Sequence, residues 1–181
     1  IDCPPHMMAH QRTGLANSGY WGAMTCDQVP VWQLTGEVVR VDGRDILDQA
    51  PNGTSPVYTV EMVKAAEAAI GCDLERGDAV IYWSEYNDTH GAAGVPADRL
   101  VFDAVRGLSP AWPGPNFDTS DYVGGKGVTL VALDSPSIGA FGASDYTWKG
   151  TQSYRSETFK AIESHLGVFK HGGVDVEGTV N

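Results

Sequence analysis

The fold follows from one stretch near the middle of the chain, Gly77-Asp78-Ala79-Val80-Ile81-Tyr82-Trp83. After the Gly-Asp turn, an almost unbroken apolar run of β-branched and aromatic side chains is typical of a strand. A strand without a polar face is usually covered on both sides, so we predict that it lies at the centre of a sheet. The stretch therefore favours an α/β protein built around this strand.

The segments on either side of this strand alternate between strand and helix patterns. Residues 37–42 alternate apolar and polar side chains and predict a second strand. Thr59 is a suitable N-cap for a helix that Gly71 would end. The apolar face of that helix is predicted to consist of Val60, Val63, Ala66 and Ile70. Residues 128–133 predict a third, buried strand, so strands and helices alternate along the chain.

Polar and turn-forming segments follow the predicted strands. Residues 84–94 are predicted to be a polar loop, and residues 111–117 a rigid turn before a helix over 119–125. His90 in the polar loop has no partner at metal-ligand spacing, so we assign it no metal role. Asp134 is acidic at the end of an apolar strand, and we predict that it caps nearby backbone donors rather than taking part in chemistry.

Composition limits the classes of partner and compartment. The chain has 181 residues and a formal net charge of −11, which predicts one domain and argues against nucleic acid and anionic membrane surfaces as partners. No apolar run approaches the ~20 residues of a membrane-spanning helix. Three cysteines fit a reducing compartment, so we predict a cytoplasmic protein. Because the chain begins within a motif and without Met, a secretion signal is left open.

The first six residues, Ile1-Asp2-Cys3-Pro4-Pro5-His6, have the properties of a metal-binding segment. Asp2 and His6 are good ligands for a divalent metal. The two prolines fix φ and donate no hydrogen bonds, so the segment between the ligands is extended and stiff. This constraint favours convergence of Asp2 and His6 on one site. Cys3 points away from the face of Asp2, and we predict that it lies in the wall of the site.

Four blocks of the sequence together resemble one family. Asp2, Pro4 and His6 match the second half of the signature His-x-Gly-Thr-His-x-Asp-x-Pro-x-His, which belongs to the cyclase family of metal-dependent hydrolases, including bacterial kynurenine formamidase and isatin hydrolase. His165 and Glu177, twelve positions apart, match the family's last site segment. Two strand blocks also match, Gly77–Ile81 and Gly127–Ser137, the latter with Ala132 in place of a glycine. The blocks occur in the family's order over nearly the whole chain.

The resemblance implies the fold and a metal site. The implied fold is the swivelling β/β/α fold, α/β in class, with a mixed sheet core flanked by helices. Residues 1–181 would be a single domain in which the start of the metal motif and a C-terminal strand are missing. One or two divalent ions, Zn or Mn, would be held by Asp2, His6, His165 and Glu177, with His6 as ligand or general base. Asp175 shares a face with Glu177 by alternation and is its rival as ligand.

The function implied by the resemblance is hydrolysis of an amide, ester or lactone bond in a small, often cyclic or aromatic, substrate by metal-activated water. Trp21, Trp83 and Trp112 would suit a planar substrate by stacking, although a core also needs aromatic residues. The loop that begins at Trp83 departs from the family's Thr-Gly-Trp, so kynurenine formamidase specificity is not carried over. Family members usually assemble as homodimers or homotetramers. The alternative is a non-catalytic cyclase-fold protein or fragment that binds a small ligand or a partner.

Overall fold

The computed structural model of the protein describes residues 29–47, 49–91, 103, 108–135, 138 and 174–176. The strands in this part of the chain are β1 (Val38–Asp42), β2 (Val57–Tyr58), β3 (Ala79–Trp83), β4 (Gly114–Pro115), β5 (Leu130–Leu133) and β6 (Val174–Val176). The α-helices are α1 (Val60–Ile70), α2 (Tyr86–Gly91) and α3 (Phe117–Gly125). Short 3₁₀ turns cover Val31–Leu34 and Arg44–Ile46.

The strands form a four-stranded sheet in the order β1-β3-β5-β6, and β2 pairs with β4 in a separate ladder. All of these pairings are parallel. Parallel neighbours need crossover connections, and the chain passes through α1 between β1 and β3 and through α3 between β3 and β5. The predicted α/β class is confirmed. β3 lies between β1 and β5, as the apolar run of its sequence predicted.

One face of the four-stranded sheet carries the hydrophobic core. The register places Val41 opposite Tyr82 and Tyr82 opposite Leu133, so these side chains share a face. All three are at most 1% exposed. Val63 of α1 and Val123 of α3 are fully buried in the same cluster. The helices therefore pack on this face and hold the strands in register.

Helix α1 confirms the predicted caps and corrects the predicted face. The Thr59 side chain accepts a hydrogen bond from the Met62 amide, and Gly71 ends the helix at φ +75°. The prediction that Ile70 belongs to the apolar face is wrong, because Ile70 is 51% exposed whereas Glu67 is buried. Glu67 can be buried because its carboxylate has hydrogen-bond partners, which the apolar pattern does not reveal.

Two segments that the sequence predicted to be loops contain a helix and a strand in the structure. Residues 84–94 were predicted to be a polar loop, but α2 begins at Tyr86, whose amide donates to Ser84 Oγ and whose side chain is buried. The predicted turn at 111–117 contains β4, which pairs with β2. In both cases tertiary contacts override weak local patterns. The helix predicted over 119–125 begins two residues earlier, at Phe117, with Asn116 as its N-cap.

In the described ranges, no helix has the length and apolar character needed to cross a membrane. The longest of these helices, α1, has 11 residues.

Candidate active site at the carboxyl edge of the sheet

The carboxyl ends of the four parallel strands lie along one edge of the sheet. Asp42 at the end of β1 is opposite Trp83 at the end of β3. Tyr82 is opposite Leu133 at the end of β5, and Ala132 is opposite Val176 at the end of β6. In open α/β sheets ligands bind in the crevice outside this edge. The residues that follow these strands are therefore the first candidates for a functional site.

Asp134 follows β5 and joins it to the end of β3. Its side chain is 1% exposed. Oδ2 accepts hydrogen bonds from the backbone amides of Ser84 and Glu85, at 2.8 and 2.5 Å, and Oδ1 accepts one from the Ser84 hydroxyl at 2.9 Å. These bonds confirm the predicted capping role of Asp134. They fix the first turn after the central strand to the end of its neighbour.

Ser135 extends this connection to a third segment. Its buried hydroxyl donates to the Pro113 carbonyl at 3.0 Å and lies 3.4 Å from Asp134 Oδ1. The Ala111 amide in the same segment donates to the Thr54 carbonyl at 3.0 Å. Trp112, between these two anchored residues, is only 6% exposed. The segment that carries Trp112 is thus attached to the end of β5.

Trp83 is half-buried at the edge and is covered by two arginines. The guanidinium carbons of Arg40 and Arg44 lie 4.6 and 4.5 Å from its ring centroid. Asp42 holds Arg44 through bonds of 3.0 Å (Nε to Oδ1) and 2.7 Å (Nη2 to Oδ2), and Glu85 approaches Arg44 to 3.7 Å. Hydrogen bonding by Arg44 lowers the pKa of Asp42. A planar ligand stacked on Trp83 would compete with these guanidinium groups.

Three buried tyrosines lie behind the edge and are neutral. The rings of Tyr58 and Tyr82 are 4.7 Å apart, and neither hydroxyl has a hydrogen-bond partner among the described residues. Burial, and next the charge of Asp134, raises the pKa of Tyr58 well above its ordinary value. Burial also raises the pKa of Tyr82, and raises that of Tyr86 to about 12. None of these phenols can serve as a base near neutral pH.

Glu85 marks the edge by its backbone conformation. Its φ is +61°, and it is the one non-glycine residue with positive φ in the described part of the chain. A residue with a side chain adopts this region only when its surroundings enforce it. The amides of Glu85 and of its neighbour Ser84 are the two that Asp134 binds. The strain therefore lies where the central strand meets Asp134.

Five of the predicted site residues lie outside the described residues: Asp2, His6, Trp21, His165 and Glu177. The strand predicted ahead of Glu177 is confirmed as β6, which ends at Val176, the preceding residue in the sequence. The rival ligand Asp175 lies within β6, opposite Val131. No group of three or more His, Cys, Asp or Glu residues in the described ranges could hold a metal ion. The metal ligands thus stay a prediction.

Sequence reasoning found part of this edge and missed part. Trp83, Trp112 and Asp134 were singled out, and all three lie in the segments just described. Ser84, Arg40 and Arg44 were missed. Arg40 lies in the predicted strand 37–42, and Arg44 follows the glycine that comes after it, Gly43. Residues in and after the end of a strand often line a site, and this position is the signal that could have indicated them. Ser84 gives no comparable signal, because its role depends on an aspartate 50 positions away.

The comparison with protein families identifies the chain. The family model described as "Putative cyclase" matches residues 1–140. This match covers more than half of the chain and includes Asp2 and His6, Trp83 and Asp134. The protein belongs to this cyclase family. No curated protein matches the chain significantly.

Solved structures of isatin hydrolases share the fold. An isatin hydrolase bound to the product analogue thioisatinate superposes with a TM-score of 0.61 at 20% identity, covering 99% of this chain and 57% of that one. Isatin hydrolase A from Labrenzia aggregata, bound to benzyl benzoate, gives 0.62 at 17% identity, with 99% and 58% covered. The enzyme from Ralstonia solanacearum gives 0.61 at 14%, with 99% and 57% covered. The chain thus spans less than two thirds of these proteins, and the likeness concerns the fold.

Proposed function

We propose that this protein is a metal-dependent hydrolase that cleaves an amide, ester or lactone bond in a small, often cyclic or aromatic, substrate. The family match and the isatin hydrolase fold support a hydrolase. The observation that carries the proposal is the placement of β6. This strand leads directly to Glu177 and lies parallel to β5, so its carboxyl end shares an edge with Trp83 and Asp134.

The proposed metal ligands are Asp2, His6, His165 and Glu177. Two carboxylates and two imidazoles form a donor set that suits Zn²⁺ or Mn²⁺. When bound, such an ion lowers the pKa of a coordinated water to about 7 and polarises the carbonyl group that is attacked. His6 is the candidate general base, because imidazole accepts protons near neutral pH.

The proposed substrate contacts come from the tryptophans. Trp112 is nearly enclosed, and Trp83 is half-buried beneath two guanidinium groups. An aromatic or cyclic planar substrate would gain stacking area from Trp83, whereas Trp112, at 6% exposed, would add little contact area. We place Trp21 with them because it lies in the segment that follows the predicted ligands Asp2 and His6 in the sequence. The buried tyrosines behind the edge have raised pKa values and are not candidates for the base.

The remaining parts of the proposal concern assembly and compartment. We propose a homodimer or homotetramer in the cytoplasm, without nucleic acid or membrane as partner. Light scattering of the purified protein at two concentrations measures the assembly, and a monomer at both would exclude the proposed oligomer.

The first experiment is elemental analysis of the mass-verified, full-length protein. Wild type is expected to carry one or two equivalents of Zn or Mn, and a His165→Ala/Glu177→Ala double variant is expected to lose metal. Asp175→Ala is the matched control, since it removes the rival carboxylate two positions before Glu177 in the sequence. Retention of metal by the double variant and its loss from Asp175→Ala would assign the ligand to Asp175 instead.

Activity is then measured on a panel of aryl formamides, aryl esters, lactones and cyclic imides. Wild type is expected to hydrolyse at least one class, and chelation is expected to abolish that turnover. A metal-free wild type without turnover contradicts the hydrolase, and the non-catalytic ligand-binding alternative would replace it.

A further inference from the structure

The buried carboxylate of Asp134 is the meeting point of three segments. It binds the amides of Ser84 and Glu85 after β3, and the hydroxyl of Ser84. It lies 3.4 Å from the hydroxyl of Ser135, which in turn donates to the Pro113 carbonyl. Ser84 and Ser135 are both completely buried. Asp134 therefore links the ends of β3 and β5, and its neighbour Ser135 links the end of β5 to the segment before β4.

Only hydrogen-bond donors surround this carboxylate in the part of the chain that the structure describes. No Lys, Arg or His pairs with Asp134 among those residues. Its charge is instead compensated by amide and hydroxyl dipoles, an arrangement that needs an acceptor at both oxygens. An asparagine in its place would keep one oxygen for the two amides, but its NH₂ group would donate to the Ser84 hydroxyl, which would then act as the acceptor. The substitution therefore removes the charge that strengthens the two amide bonds and reverses the bond to Ser84.

The three linked segments are the ones that carry the proposed substrate residues. Trp83 is bonded directly to Ser84, and Trp112 directly to Pro113. On the other side, Ala132 lies two residues before Asp134 and pairs with Val176, the last residue of β6. Adjacent strands are about 4.8 Å apart. Asp134 and Ser135 together therefore connect the two tryptophan segments to β5, the strand next to the one that leads to Glu177.

We propose that Asp134 is a positioning residue of the substrate pocket, whose carboxylate fixes the Trp83 segment relative to β6 and which acts together with the Ser135 hydroxyl that fixes the Trp112 segment. This inference rests on the proposed hydrolase function and deepens it. Asp134 acts through its hydrogen bonds and touches neither metal nor substrate. Errors of about 1 Å in the position of substrate-binding groups cost on the order of 100-fold in rate, so loss of this connection is expected to weaken substrate binding.

The strain at Glu85 supports this role. A non-glycine residue in the left-handed region costs on the order of 1 kcal/mol or more, and such strain is found where the surroundings over-determine the backbone. Here the contacts that hold the backbone in this conformation are the hydrogen bonds from the Ser84 and Glu85 amides to Asp134.

The test compares Asp134→Asn with Glu67→Gln. Glu67 is the matched control because it is also a buried carboxylate that accepts from a backbone amide and a hydroxyl, those of Leu74 and Tyr122. KM and kcat are measured on a substrate that wild type hydrolyses, at a temperature where circular dichroism shows both variants folded. We expect KM to rise about tenfold or more in Asp134→Asn and to stay within about twofold of wild type in Glu67→Gln.

A second variant keeps the test decisive if Asp134→Asn does not fold. Ser135→Ala removes only the hydroxyl that connects the end of β5 to Pro113, and a rise in KM of a few-fold with kcat retained is expected. Metal content must equal that of wild type in each variant. Loss of metal would overturn the inference, because Asp134 would then act on the metal site rather than on the tryptophan segments.

The outcomes separate this inference from the proposed function. If wild type turns over substrate and the KM of both Asp134→Asn and Ser135→Ala is unchanged, Asp134 is purely structural and the inference alone fails. If wild type carries no metal and hydrolyses nothing, the proposed function fails and the positioning role fails with it.

Discussion

Two buried carboxylates, Glu67 and Asp134, each hold segments together by hydrogen bonds, in different parts of the described structure. Glu67 joins α1 to α3 by accepting bonds from the Leu74 amide and the Tyr122 hydroxyl, at 2.7 and 2.9 Å, and it has Lys126 at 3.8 Å. Asp134 joins the ends of β3 and β5 and has no cation among the described residues. The first carboxylate is paired with a basic side chain near the surface, whereas the second is held by donors alone.

The difference shows what each position needs. Both carboxylates accept short, directional hydrogen bonds, but the donors to Glu67 come from two separate segments, and Lys126 adds a charge pair with little directional preference. Asp134 binds the amides of two consecutive residues and the hydroxyl of the first, so it fixes the backbone of one turn. The first arrangement suits the packing of two helices on a sheet. The second suits a site, where the positions of Trp83 and Trp112 must be defined within fractions of an ångström.

The largest expected effect comes from removing each carboxylate. Asp134→Ala leaves several buried donors unpaired and is expected to lower the free energy of unfolding by about 4 kcal/mol, whereas Glu67→Ala leaves fewer and is expected to cost about 2 kcal/mol. Urea unfolding followed by circular dichroism measures both. Equal losses would show that the two connections do not differ in the way described.

A second pair of substitutions compares a tightly packed glycine at the carboxyl edge, Gly43, with an open glycine at a helix end, Gly71. A Cβ on Gly43 would overlap the Tyr58 ring and hydroxyl, so Gly43→Ala is expected to cost about 3 kcal/mol by overpacking. At Gly71, with φ +75°, a Cβ meets nothing within 4 Å, and Ala is expected to cost only about 1 kcal/mol of conformational strain. Thermal unfolding compares them, and a milder effect at Gly43 would contradict tight packing beneath Tyr58.

A smaller effect is expected from the unpartnered phenol of Tyr58. Because its hydroxyl is buried without a described partner, Tyr58→Phe is expected to be neutral or stabilising by up to about 1 kcal/mol. The raised pKa of Tyr58 means that the unfolded state loses its proton first as pH rises. The contribution of Tyr58 to the free energy of unfolding is therefore constant below about pH 10 and decreases as the pH rises above that value.

Stability curves from pH 8 to 11.5 test the sign of this dependence. Tyr58→Phe is expected to flatten the alkaline loss, with the half-exposed Tyr122→Phe as the control that changes it less. An identical alkaline slope in wild type and Tyr58→Phe would exclude Tyr58 as its source.

The smallest effect is expected at the solvent side of the edge. Arg44 lowers the pKa of Asp42, so this pair contributes stability above about pH 4 that is lost as pH falls below that value. Both side chains are 40% or more exposed, and screening by solvent keeps the contribution small. Asp42→Asn should remove a slight acid dependence between pH 5 and 3, as measured by thermal unfolding. A large stability change at pH 7 would show that the pair is more shielded than its exposure indicates.

The sequence predicted the regular elements best where local and tertiary preferences agree. The apolar run at 79–83 is a strand and is central, and the helix from Thr59 to Gly71 has both predicted caps. The prediction from sequence was wrong where a buried polar group has hydrogen-bond partners from a distant segment. Glu67 is buried because α3 and Leu74 supply partners, and α2 begins at Tyr86 where a polar loop was predicted, since Tyr86 is buried there and its amide is bound by Ser84. The periodicity of apolar residues along the chain contains no information about such partners.

The sequence by itself determined the α/β class, the alternation of elements and the family, because these depend on local pattern and on motifs contiguous in the chain. It also indicated Trp83 and Trp112 as candidate substrate contacts and Asp134 as a cap of backbone donors. Only the tertiary structure decided that Asp134 binds Ser84, 50 positions away, and that Arg40 and Arg44 cover Trp83. The physical reason is that parallel pairing brings the ends of distant strands to one edge, where hydrogen bonds form between residues that no local pattern relates.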